Sequence, residues 1–135
     1  MTVEWEGLDK FQRFLRDTPK VVRRDVEAAL VQEGENIMGV SKSRTPVALG
    51  FLRAGGHAKD EVVPPPWVEL SKTKRSVVEV VLAYAASYAV FAHEQEPRAG
   101  GQGQSKFLES AVKDAAKGFG GRMKRKILDR IGRRP

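Results

Sequence analysis

The sequence predicts an α+β fold, a small antiparallel β-sheet packed by a long N-terminal helix and a C-terminal helix. Three observations predict it. Apolar residues recur at helical spacing from Leu8 to Ile37 and again from Phe107 to Ala115. Between these segments lies Val77-Val78-Glu79-Val80-Val81-Leu82, a β-branched run of strand length. Gly55-Gly56, Pro64-Pro65-Pro66 and the glycines between Pro97 and Gly103 cut the middle of the chain into short pieces.

Each element has its own signal. Val3 and Trp5 alternate with Glu4 and Glu6, the pattern of a short first strand. From Leu8 the period changes: Leu8, Phe11, Phe14 and Leu15 share a helix face, with Asp9 suited to the first turn. Asp17-Thr18-Pro19 interrupts that helix, and Thr18 can cap a second one with Pro19 in its first position. Val22, Val26, Ala29, Leu30, Glu33 and Ile37 mark one face of this long helix, which runs to about Ser43 and ends before Pro46. Gly34 and Gly39 within it each cost about 1 kcal/mol against alanine, a cost that close packing offsets or a kink explains. Residues 51–59 read as a strand and the chain through Pro66 as a loop. Val68 and Leu70 mark a second strand, a turn follows near Lys72–Arg75, and Val77–Ala83 is a third, central strand buried on both faces. Ala85–His93 reads as a short helix leading out of the sheet, and Pro97–Gly103 as a loop. Ser105 caps a final helix whose stripe is Phe107, Leu108, Ala111, Val112, Ala115 and Phe119. Gly118, Gly120 and Gly121 break it, and Met123, Ile127, Leu128 and Ile131 form a further amphipathic stretch with Lys and Arg opposite.

The 135 residues suit one domain, with a core that buries about two-thirds of the unfolded surface. The chain has no cysteine, so disulfides, thiolate catalysis and thiolate metal sites are excluded. Its start is acidic and mixed, without a signal-peptide core, and no stretch has the roughly 18 apolar residues of a membrane helix. A cytoplasmic protein, or one assembled there into a particle, is expected. The net charge of +7 is localised: of the 24 Lys and Arg, eight follow Ala116, against one of the 17 Asp and Glu. Residues 1–116 therefore read as one α+β domain and 117–135 as a basic helical extension. Arg122, Lys124, Arg125, Lys126, Arg130, Arg133 and Arg134 are candidates for an anionic partner, a nucleic acid or an acidic protein surface; a solvated helix end has the same composition.

Catalytic patterns are weak. His57 and His93 are the two histidines, and neither lies in an HxH or HExxH spacing. No serine sits in a GxSxG turn. Gly100–Lys106 resembles a phosphate-binding loop in composition only, since its Ser precedes its Lys and the four-residue gap is missing. No catalytic residue, metal or cofactor is expected. Binding features are stronger. Tyr84, Tyr88 and Phe91 lie among small residues and suit a protein interface, although core packing accounts for the same residues. Trp67, beside three prolines, is either a plug or a docking anchor. The basic end has no interleaved aromatics for base stacking.

Three segments together resemble a known family. Thr45-Pro46 with Gly50 and Leu52-Arg53-Ala54 is the first. Tyr88-Ala89-Val90-Phe91-Ala92-His93-Glu94 is the second, and Gly103-Gln104-Ser105-Lys106-Phe107-Leu108-Glu109 the third. In this order, over Leu8 to Ala116, they resemble the small tail-completion or neck proteins that join head to tail in tailed bacteriophages of the lambdoid siphophage type. Gly55 departs from the family's small polar residue, and Arg98–Gly101 lacks its His-Pro element. The resemblance implies a non-enzymatic virion protein of the tail and neck, assembled in the host cytoplasm. It implies a ring of about six or twelve copies between the head connector or head-completion protein and the tail terminator or tail tube. No membrane is involved, and DNA in the channel is a further contact. Trp67, Tyr84, Tyr88, Phe91, His93 and Glu94 are then interface candidates. A tail terminator capping the tube is the alternative within this class. A small nucleic-acid-binding accessory protein using the basic end is the alternative outside it.

Overall fold

The computed structural model describes residues 3–44, 56–58, 61–63, 66–71, 78–84 and 106–133. In chain order the elements are α1 (Leu8–Asp17), α2 (Arg23–Arg44), β1 (Gly56–Ala58), β2 (Glu61–Val63), β3 (Trp67–Ser71), β4 (Glu79–Ala83), α3 (Phe107–Ala116) and α4 (Phe119–Arg133). The fold is α+β. Its strands form two antiparallel pairs, β1 with β2 and β3 with β4.

Helix α2 is central, packing on β3–β4, on α3 and on α4, while α1 packs on α4. Gly34 explains how the sheet approaches: a Cβ there would meet Cγ1 of Val68 and of Val80 at 3.0 Å each. The same construction at Gly39 meets nothing within 4 Å, so close packing accounts for one of these glycines and not the other. The main core joins Phe11, Ala29, Phe119, Met123 and Ile127, with Trp5, Phe14, Leu15, Val21, Val26, Leu30 and Ile131 against it. Phe119 is edge-on to Trp5, centroids 4.8 Å apart, and to Phe11 at 6.2 Å. Helix α4 lies in the segment read as an extension, yet Phe119, Met123 and Ile127 place it in this core. Arg44, at the end of α2, ties to α3 through Asp114 at 2.5 Å and Ser110 at 3.0 Å.

Several local expectations are corrected. Val3–Glu6 forms no strand; the Glu6 N–H donates to the Ala116 carbonyl (2.9 Å) and its own carbonyl accepts from Gly120 (2.8 Å). The α3–α4 corner thus supplies the backbone partners a sheet would have supplied. Thr18 closes α1 in extended conformation instead of opening α2. Helix α2 starts at Arg23 because the Asp25 carboxylate accepts the Val22 N–H at 3.1 Å, one half of a capping box. Strand β2 occupies part of the stretch expected as a loop. Strand β4 begins at Glu79 and has one exposed face: Glu79 and Val81 point outward while Val80 and Leu82 are half-buried. It is therefore not buried on both faces, and its neighbour among the described residues is β3. The cap position of α3 is Lys106, at φ 52° and with no side-chain cap bond, rather than Ser105. The break after α3 is confined to Lys117 and Gly118 (φ 67°). Gly120 continues α4 because Gly7 packs against it so closely that a Cβ would overlap the Gly7 backbone. The helix read over Ala85–His93, the loop at 97–103, the turn at Lys72–Arg75 and residues 51–55 of the first strand lie outside the described residues.

Candidate functional site

The basic residues of α4 divide by helix face. Arg122, Lys126 and Arg130 recur every fourth residue and look toward α2. Glu33 of α2, 3 % exposed, receives the first two. Arg122 Nη2 lies 2.5 Å from its Oε1 and Lys126 Nζ 2.7 Å from its Oε2. Burial pushes the Glu33 carboxyl up, but hydrogen bonds and charge from Arg122 and Lys126 outweigh it and hold the group below its usual value of 4.5. Arg122 also donates to the carbonyls of Lys117 (2.7 Å) and Ala115, closing the end of α3. Arg130 lies 3.7 Å from the buried Asp25, and Arg133 pairs with Asp129 at 3.4 Å. Arg122 and Lys126 are matched inside the fold and are poorly placed to receive an outside anion, whereas the Arg130 and Arg133 side chains are 43 % and 80 % exposed.

The other face of α4 is open. Lys124 sits 5.4 Å over the ring of Phe14 on α1. Arg125 is exposed, and Leu128 beside them is 46 % exposed. Arg134 lies outside the described residues.

The interface candidates also divide. Tyr84 is a packing residue: its ring is edge-on to Phe107 at 5.2 Å. Its hydroxyl shares a 2.7 Å hydrogen bond with that of the fully buried Ser41. It joins α2, α3 and the end of β4. Trp67 is 40 % exposed. It faces Ala83 across β3–β4, on the side away from α2, with Val81, Glu69 and Glu79 on the same outer face. Tyr88, Phe91, His93 and Glu94 lie outside the described residues.

A cleft of about 510 Å³ separates α2 from the sheet, lined by Leu30, Ile37, Val80, Leu82 and Val112 among others. Two carboxylates line it, Glu33, which Arg122 and Lys126 neutralise, and Glu79. Among the described residues no group of three or more His, Asp or Glu side chains could hold a metal ion. Among them also, no helix is long and apolar enough to cross a membrane.

Sequence reading placed Glu33 on the apolar stripe of α2 without drawing the consequence. An acid on a core face requires a buried cation, and the four-residue spacing of Arg122, Lys126 and Arg130 was the signal that α4 supplies it. No protein-family model, curated protein or solved structure matches this chain.

Proposed function

We propose that this protein is a structural component of a tailed-phage neck, joining the head connector to the tail as a ring at the tail's head-proximal end. The observation that carries the reading is the order and spacing of the three motif segments around Thr45–Ala54, Tyr88–Glu94 and Gly103–Glu109. The last of these opens α3, where Phe107 is 1 % exposed. The α+β body is consistent with such a subunit. The division of α4 also bears on the alternatives. A nucleic-acid accessory protein needs its basic segment free for phosphates; Glu33 occupies Arg122 and Lys126, which leaves Lys124 and Arg125 as exposed cations of α4. The work of the protein is then recognition rather than reaction.

Electron microscopy of particles made after deletion of the gene, with and without complementation, tests this. Filled heads beside separate tails of normal length support the joining role. Overlong tails move the assignment to a tail terminator. Intact, infectious particles refute the neck reading.

A further inference from the structure

Two exposed faces of the fold have opposite character. One is the outer side of α1 and α4. Lys10 and Arg13 of α1 and Lys124 and Arg125 of α4 are exposed there. The Lys124–Phe14 contact brings the two helices together on this side. None of the four forms a salt bridge with a described residue. Leu128 lies among the α4 cations, 46 % exposed. The other is the outer side of β3–β4. Trp67 and Val81 are 40 % and 41 % exposed there. Glu69 stands opposite Val81, and Glu79 is two residues along the strand from it. Neither acid forms a salt bridge with a described residue.

Fold stability explains neither face. Unpaired like charges repel, and an exposed tryptophan beside an exposed valine leaves apolar surface in water. Each face has what the other lacks: cations around a leucine, and carboxylates around a tryptophan and a valine. The inner side of the sheet packs on Gly34 of α2, and α4 turns Arg122 and Lys126 toward the same helix. The two exposed faces therefore point away from α2 in different directions.

We infer that these faces bind each other between copies of the chain. The α1–α4 face around Lys124, Arg125 and Leu128 of one copy docks on the β3–β4 face around Trp67, Val81, Glu69 and Glu79 of the next. The contact is heterologous, so each copy keeps one free face and the association propagates until it closes. The inference deepens the neck reading by naming the surfaces that meet, and it rests on that reading for the expectation that the chain of copies closes into a ring. Leu128 and Trp67 form the apolar centre of the contact, and the charges fix its register and its rate of formation.

The test is sedimentation of the full chain across a range of protein concentration at low and high salt. Wild-type protein associates, and more weakly in high salt. Lys124→Glu with Arg125→Glu reverses the charges around Leu128, and Glu69→Lys with Glu79→Lys reverses those around Trp67 and Val81. Each pair of substitutions weakens self-association by about tenfold or more. An equimolar mixture of the two variants associates again, because each now offers the face the other needs; this restoration also shows that both are folded. Wild-type protein that stays monomeric at low salt overturns the inference. So does a mixture that fails to associate while both variants keep their helical circular dichroism. Duplex DNA binding that is lost with Lys124→Glu and Arg125→Glu while self-association is unchanged assigns the basic face to DNA instead. The particle experiment separates the two readings: restored association together with intact particles after gene deletion refutes the neck role and leaves the interface standing.

Discussion

Replacing Glu33 by Gln removes the one negative charge that Arg122 and Lys126 share. The amide keeps the size of the carboxylate and one acceptor oxygen, so packing in the α2–α4 seam is little changed. What changes is the balance of charge, since two cations then converge on a neutral group that is 3 % exposed in the native protein. Breaking a buried ion pair from one side costs about 3–5 kcal/mol. Here the Arg122 and Lys126 side chains are 33 % and 17 % exposed, and Arg122 retains two carbonyl acceptors. Partial solvation therefore lowers the expected cost to about 2–4 kcal/mol. With a urea dependence of about 1–3 kcal/mol per molar, the unfolding midpoint falls by roughly 1–2 M. The assay is urea denaturation followed by circular dichroism at neutral pH. In a Lys126→Met background the same change costs less, because one unmatched cation is already gone. A midpoint within about 0.3 M of wild type would refute the reasoning, since it would mean that Glu33 is effectively solvated and α4 is held by its apolar face alone.

The pH dependence follows from the same seam. The folded Glu33 carboxyl lies below its usual 4.5, so its contribution to stability is fully present above that value and is lost as pH falls through the folded pKa. Asp114, held down by Arg44, and Glu109, held down by Lys113 and Lys106 against its own desolvation, act in the same direction. Urea midpoints should therefore drop below about pH 4.5, and Glu33→Gln should flatten the drop in part; an identical slope in the variant would count against the assignment. The two helix glycines should respond oppositely. Gly39→Ala, with open space around it, gains about 0.5–1 kcal/mol. Gly34→Ala gains the same propensity but presses on two stiff valines, and loses about 1–2 kcal/mol net. Equal thermal shifts for the two would place the sheet farther from α2. Gly120→Ala sets a Cβ into the Gly7 backbone and should cost about 3 kcal/mol, seen as loss of the cooperative transition at moderate urea; a wild-type midpoint would show that the α1–α4 approach is looser.

The parts of this structure that were legible in the sequence are those set by local period. Leu8, Phe11, Phe14 and Leu15 gave α1, and the stripe from Val22 to Ile37 gave most of α2. Val68 and Leu70 located β3, and Phe107, Ala111 and Met123 located buried positions of the last two helices. The parts that were not legible depend on partners distant in the chain. Trp5 alternates with acids as a strand residue does, yet the backbone of its neighbour Glu6 is satisfied by a helix corner more than a hundred residues away. Val80 and Val81 are equally β-branched, and only pairing with β3 against α2 decides which is inside. Arg122 and Arg125 look alike in a run of basic residues, and the position of Glu33 on another helix makes one structural and leaves the other exposed. The three prolines before Trp67 likewise leave both plug and anchor open, and its place on the outer face of β3 is set by pairing with β4.

The proposed neck role is tested most directly on tailed-phage particles purified from cells that express the chain, by mass spectrometry of their proteins and cryo-electron microscopy of the head–tail junction. The predicted result is a ring of this chain between connector and tail tube. Particles that lack the chain, or that carry it away from the junction, would contradict it.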